Sequence, residues 1–140
     1  MIIAVDFDGT IVQDRYPAIG NEIAFATSTL KMLLNDGHKL ILWTVREGRA
    51  LEQAVQWCRE RGVEFYAVNQ DFPGEDPEET RHYSRKPKVD IFIDDRNVGG
   101  LPDWGTIYQI IHDDKTLEEV LFEDEYGGGM GKKKKKWWHL

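Results

Sequence analysis

A chain of 140 residues, 41% hydrophobic and 11% aromatic, is long enough to bury one core and too apolar to stay disordered. Its formal net charge of -7 hides a contrast, because residues 132–136 hold 5 of the 18 basic residues and the remainder stands at 13 minus 25, or -12; so acidic a body argues against general nucleic-acid binding by the domain and says nothing about a local phosphate site. The single cysteine, Cys58, excludes an internal disulfide and fits a reducing compartment, and with no signal-peptide pattern and no apolar run long enough for a bilayer the expectation is a cytoplasmic protein with no membrane span.

The elements follow in chain order. Residues 2–5, "IIAV", form a short apolar run that reads as a buried strand and ends in Asp6-Phe7-Asp8-Gly9-Thr10. The stretch 14–20, "DRYPAIG", reads either as a flap beside that first motif with Tyr16 lining the entrance or as an ordinary loop with Tyr16 as a staple, and the ordinary loop is favoured. Over residues 21–34 the apolar positions Ile23, Ala26, Leu30, Leu33 and Leu34 recur at helical spacing, and Asn35-Asp36-Gly37 supplies the stop. A second strand over 40–43 leads to Thr44, and a second helix is expected from about 49 to 61, with Leu51, Ala54, Val55 and Cys58 inward and Gly62 as its cap. A third strand is expected over 63–68 and a fourth over 90–93, separated by a long polar loop at 69–88. Beyond a turn-rich stretch, residues 115–126 read as a final helix, and the end, "GGGMGKKKKKWWHL", is low-complexity. Strand, helix, strand, helix, strand predicts a parallel sheet with helices on its faces. The expected division is one domain over 1–126 and a tail over 127–140.

Each strand ends in a polar residue: Asp6, Thr44, Asn69, then Asp94 and Asp95. Ligands of an open parallel sheet bind at the carboxyl ends of its strands, so four distant segments would meet at one crevice. One acidic strand end is an ordinary turn, but acid pairs at both Asp6/Asp8 and Asp94/Asp95 are harder to explain that way. Like charges held together need a positive partner, and all-oxygen ligation without His or Cys favours a hard cation, Mg²⁺ first. The four histidines, His38, His82, His112 and His139, are scattered and make no zinc spacing.

"DFDGT" after an apolar strand, "LILWT" ending a second, a lysine before the fourth strand, and "IFIDD" ending it resemble the four motifs of the haloacid dehalogenase (HAD) superfamily, in the right order, over roughly residues 1–110. The resemblance implies a three-layer Rossmann-like α/β fold, a parallel sheet with helices on both faces. It implies that Asp6 is a nucleophile forming an aspartyl-phosphate, and that Asp8 is the general acid that protonates the leaving alcohol and then, as base, activates water. Thr44 would hold a phosphoryl oxygen. Lys86 would neutralise Asp6 and the transferring group; Lys88 is its rival, and Lys86 is favoured because it stands outside the expected strand with room to reach back. Mg²⁺ would be held by Asp94, the Asp6 carboxylate and the Asp8 backbone carbonyl, with Asp95 binding through water or orienting the others.

Residues 11–39 and 45–85 leave no room for a full separate cap domain. Capless relatives often act on large or accessible phosphoesters or borrow a neighbouring subunit as a lid, so a homo-oligomer is one expectation. Arg46 reads equally as a contact for a substrate phosphate or carboxylate and as a surface salt bridge, and Asn97, beside Arg96, is a weaker substrate candidate. Nucleic acid as a partner enters only through the tail at 132–138, whose cations and tryptophans also suit anionic lipid, although a solvated tail or docking on a neighbour explains them as well. The leading expectation is a Mg²⁺-dependent phosphomonoester hydrolase acting on a phosphorylated substrate of unknown identity. The alternatives are a nucleic-acid-end phosphatase of the same chemistry and a non-catalytic phosphate-binding or receiver-like signalling module, which Asn69 at the third strand end disfavours.

Overall fold

The structure, a computed structural model, describes residues 1–75 and 88–126. Lys86, most of the polar loop and the tail at 127–140 lie outside the described residues. Those described divide into two compact units, one over Met1–Leu101 and one from Pro102 onward. Among them, no helix is long and apolar enough to cross a membrane.

The first unit is mixed α/β around a four-stranded parallel sheet. Strand β1 is Ile2–Val5, β4 is Lys39–Leu42, β5 is Ala67–Val68 and β6 is Ile91–Ile93, and they lie side by side in the order β5-β4-β1-β6. Ile3, Ala4 and Val5 are buried, as are Leu40, Ile41 and Leu42. Unbroken apolar runs of this kind belong to strands covered on both faces, and each large side chain so buried contributes about 1.5–3 kcal/mol. Val5 pairs with Leu42 on one side and with Ile93 on the other, and Leu42 pairs with Val68. All four strands therefore end at one level.

Helix α1 is Ala26–Asn35 and α2 is Gly48–Glu60. The first helix starts later than its periodicity predicts, because residues 18–22 are spent in a strand. Glu22 of that strand accepts hydrogen bonds from Thr27 N and Thr27 Oγ1, at 3.2 and 2.9 Å, and caps α1 from outside. Gly62, at φ +82°, closes α2, with the Val63 N–H donating to Cys58 O at 2.9 Å. Of the four inward positions expected on α2, Ala54 and Cys58 are buried while Leu51 and Val55 are half-buried. The third strand is shorter than expected, pairing only at Ala67 and Val68, since residues from Val63 first complete the exit from the helix.

"DRYPAIG" is the turn of an antiparallel hairpin rather than a plain loop: β2 (Val12–Arg15) pairs with β3 (Ala18–Glu22), with an irregularity between Val12 and Asp14. The second unit holds α3 (Trp104–His112) and α4 (Leu117–Tyr126), which contact each other. The former lay hidden in the turn-rich stretch. Asp103 caps it, accepting from Thr106 N at 3.0 Å and Thr106 Oγ1 at 2.7 Å.

Candidate active site

The residues that follow the strands are held by the continuing backbone ladder. Asp6 N–H donates to Ile93 O at 3.0 Å, Trp43 N–H to Val5 O at 2.9 Å and Asn69 N–H to Leu42 O at 2.8 Å. Each side chain at a strand end thus starts from a backbone atom fixed in the sheet, which gives the site a precision that free loops lack. A cavity of about 330 Å³ opens there, large enough for a small molecule. Asp6 and Asp8 line it from the loop after β1, Trp43, Thr44 and Val45 from the loop after β4, and Asp94, Asp95 and Arg96 from the loop after β6. Asp14 and Tyr16 reach it from the hairpin.

Asp6, Asp94 and Asp95 form the acidic centre, each offering a carboxylate oxygen within 4.8 Å of the others. Burial first, and then the neighbouring carboxylates of Asp94, Asp95 and Asp8, push Asp6 up to about 7 from its ordinary 3.8. A carboxyl so displaced marks negative charge with too little compensation, and the all-oxygen donor set fits a hard divalent cation. Asp95 is held from behind, its N–H donating to Thr10 Oγ1 at 3.1 Å. Asp94 Oδ1 accepts from Arg96 N at 2.8 Å.

Asp8 adds no carboxylate to this cluster. Both of its oxygens accept from Arg46, Oδ2 from Nε and Oδ1 from Nη2, each at 2.7 Å. Arg46 is fully buried, which corrects the reading of a surface salt bridge. Its other contacts are backbone carbonyls: Nη1 donates to Pro17 O at 3.2 Å and Ala50 O at 3.3 Å, and Nη2 to Ala18 O at 2.8 Å. A guanidinium has five N–H groups, and five acceptors take them, so none is left for a substrate phosphate.

Thr44 lines the cavity from the loop after β4. Its N–H donates to Asn69 Oδ1 at 2.8 Å, and its Oγ1 accepts from Arg46 N at 3.1 Å. With an N–H already donating to the oxygen, the hydroxyl proton is directed elsewhere. Asn69 sits at φ 52°, a left-handed conformation that asparagine tolerates, and this turns its side chain back onto the Thr44 loop. Asn97 does not line the cavity; its Nδ2 donates to Asp94 O at 2.6 Å and shapes the turn. Lys88 is exposed and outside the cavity lining, and its N–H donates to Asp71 Oδ1 at 3.2 Å.

Sequence reasoning missed Asp14, Trp43 and Val45 as lining residues, and for Tyr16 it weighed a place at the entrance but favoured a loop staple, which the structure corrects. Tyr16 is 56% exposed, lines the cavity, and has its ring centroid 5.1 Å from the Arg46 guanidinium carbon. Trp43 and Val45 were readable as the flanks of Thr44. Asp14 was not, since only the hairpin carries it to the site.

No protein-family model matches the chain, and no curated protein matches it. Among solved structures, a conserved protein coded by a locus of Bacteroides thetaiotaomicron is 58% identical at a TM-score of 0.77, over 91% of this chain and 98% of that one.

Proposed function

The chain belongs to the same family as that conserved Bacteroides thetaiotaomicron protein, and for it we propose a Mg²⁺-dependent phosphomonoester hydrolase of the HAD type, with a three-layer Rossmann-like core and no separate cap domain. The observation that carries this reading is the division of labour between two carboxylates on one cavity. Asp6 faces Asp94 and Asp95, while Asp8, two residues on, is turned to Arg46. Two acids in such different surroundings suit two different tasks.

In the first step an Asp6 carboxylate oxygen attacks phosphorus. The bond from phosphorus to the ester oxygen breaks, its electron pair leaves with that oxygen, and the proton on Asp8 moves to it, releasing the alcohol. In the second step water attacks the aspartyl-phosphate and gives its proton to Asp8. The bond from phosphorus to Asp6 then breaks, and inorganic phosphate leaves with both carboxyl groups restored. The Thr44 hydroxyl donates to a phosphoryl oxygen. Mg²⁺ held by Asp6, Asp94 and Asp95 would offset the repulsion between these carboxylates and the phosphoryl group.

The test is phosphate release from sugar phosphates, nucleotides and 3′- or 5′-phosphorylated oligonucleotides, with Mg²⁺ and with EDTA, for wild type and Asp6→Asn. Turnover that needs Mg²⁺ and disappears in Asp6→Asn supports the hydrolase and ranks its substrates. Turnover that persists in Asp6→Asn would remove Asp6 as nucleophile.

A further inference from the structure

We propose that Arg46 is the positioning residue of this reaction: it grips the Asp8 carboxylate at two points and ties it to the hairpin turn that walls the cavity, so that the proton donor is in place before substrate arrives. This rests on the phosphomonoester hydrolase reading above.

The geometry is that of a staple. The guanidinium joins three segments far apart in sequence: the loop after β1 through Asp8, the hairpin turn through Pro17 O and Ala18 O, and the first turn of α2 through Ala50 O. The Phe7 and Tyr16 ring centroids each lie 5.1 Å from its central carbon. Asp8 keeps 11% of its side chain exposed while Arg46 keeps none, so the acid stays reachable from the cavity and its holder does not. A carboxylate has about four acceptor sites; Arg46 takes one on each oxygen and leaves the others for the travelling proton.

The pair also strengthens in the direction of the reaction. As the Asp8 proton passes to the departing oxygen, the carboxylate left behind gains full charge against a fork already bonded to it. Charge-assisted bonds are stronger than neutral ones, so the contact is worth more late in the step than at its start. Lysine, a point charge with three donors, could not hold both oxygens and three carbonyls at once.

An alkyl phosphate needs its leaving oxygen protonated, whereas p-nitrophenolate leaves unaided. Arg46→Ala and Arg46→Lys are compared with wild type by kcat/KM on both esters in Mg²⁺, with folding checked by circular dichroism. If Arg46 acts through Asp8, the alkyl ester loses on the order of 100-fold while the nitrophenyl ester changes about threefold or less. In an Asp8→Asn background, Arg46→Lys then adds no further loss on the alkyl ester. Equal losses on both esters, or full additivity with Asp8→Asn, would show a structural strut and overturn the proposal. Should Arg46→Ala fail to fold, Arg46→Lys and the double variant decide the matter by themselves. Wild type inactive on both esters would remove the hydrolase reading itself, an outcome no Arg46 variant can imitate.

Discussion

The Asp95 carboxylate packs against the bare α-carbon of Gly9, where an added Cβ would collide with Asp95 Oδ2 and Cγ, and Gly9 itself sits at φ +82°. Glycine is thus required twice, by backbone conformation and by the approach of a residue 86 positions away. Gly9→Ala is expected to destabilise the fold by about 1–3 kcal/mol. By displacing Asp95 it should also weaken divalent-cation binding by roughly 10-fold or more. Thermal melts with and without Mg²⁺ measure both effects, and an unchanged Mg²⁺ response in Gly9→Ala would contradict the second.

Asp6 predicts a gain in stability when its carboxyl group is removed. Its proton is held up to about 7, against 3.8 ordinarily, through burial and then the charges of Asp94, Asp95 and Asp8. Between those values the folded chain binds more protons than the unfolded one, so metal-free stability falls as pH rises through that window and levels beyond it. Asp6→Asn removes the penalty. In EDTA the variant should melt above wild type at about pH 8 and together with it near about pH 3. A wild type that melts as high as the variant at the upper pH would refute this.

Cation binding should expel the same proton. Burial and its carboxylate neighbours push Asp6 up to about 7, so titration with Mg²⁺ in buffers of different ionisation enthalpy should show protons released near neutral pH, fading towards about pH 9. Affinity should rise with pH over that range. Asp94→Asn and Asp95→Asn should each weaken binding, because each removes one charged oxygen donor of the cluster. Proton release that is independent of pH would place the titrating group elsewhere.

Cys58 offers a probe remote from the chemistry. It is fully buried on α2, and burial pushes its thiol up to about 12. The thiolate is the reactive form, so a disulfide reagent should label native protein only as fast as the helix opens, and unfolded protein at once. Rapid labelling under native conditions would mean that α2 is loosely packed.

Much of this architecture could be read from local pattern. The apolar runs at 2–5, 40–43 and 90–93 announced three strands, and their polar ends named Asp6, Thr44, Asp94 and Asp95, because a strand's burial and its terminus are both written in consecutive residues. Helix α3 was missed although its signals were present. Asp103 stands three residues before Thr106, and Trp104, Ile107 and Ile111 fall at helical spacing and are buried, yet Pro102 and Gly105 made the stretch look like a turn. The hairpin escaped notice since β2 buries only Val12, leaving no alternation to read. Arg46 was beyond local reasoning altogether: its partner Asp8 lies 38 residues away, and one buried arginine resembles an exposed one until its acceptors are known.

The parallel pairing of β1 with β6, which joins Ile3 to Ile91 and Val5 to Ile93, makes the acidic cluster wait for a late segment of the chain. A chain leaving the ribosome has made Asp6, Asp8, Thr44 and Arg46 long before the segment that carries Asp94 and Asp95. Until β6 emerges, the nascent protein has Asp6 and the Asp8–Arg46 pair but only one of the three carboxylates of the cluster. The acidic cluster is therefore among the last parts of the first unit to come into being, and a chain cut short of residue 94 would lack it.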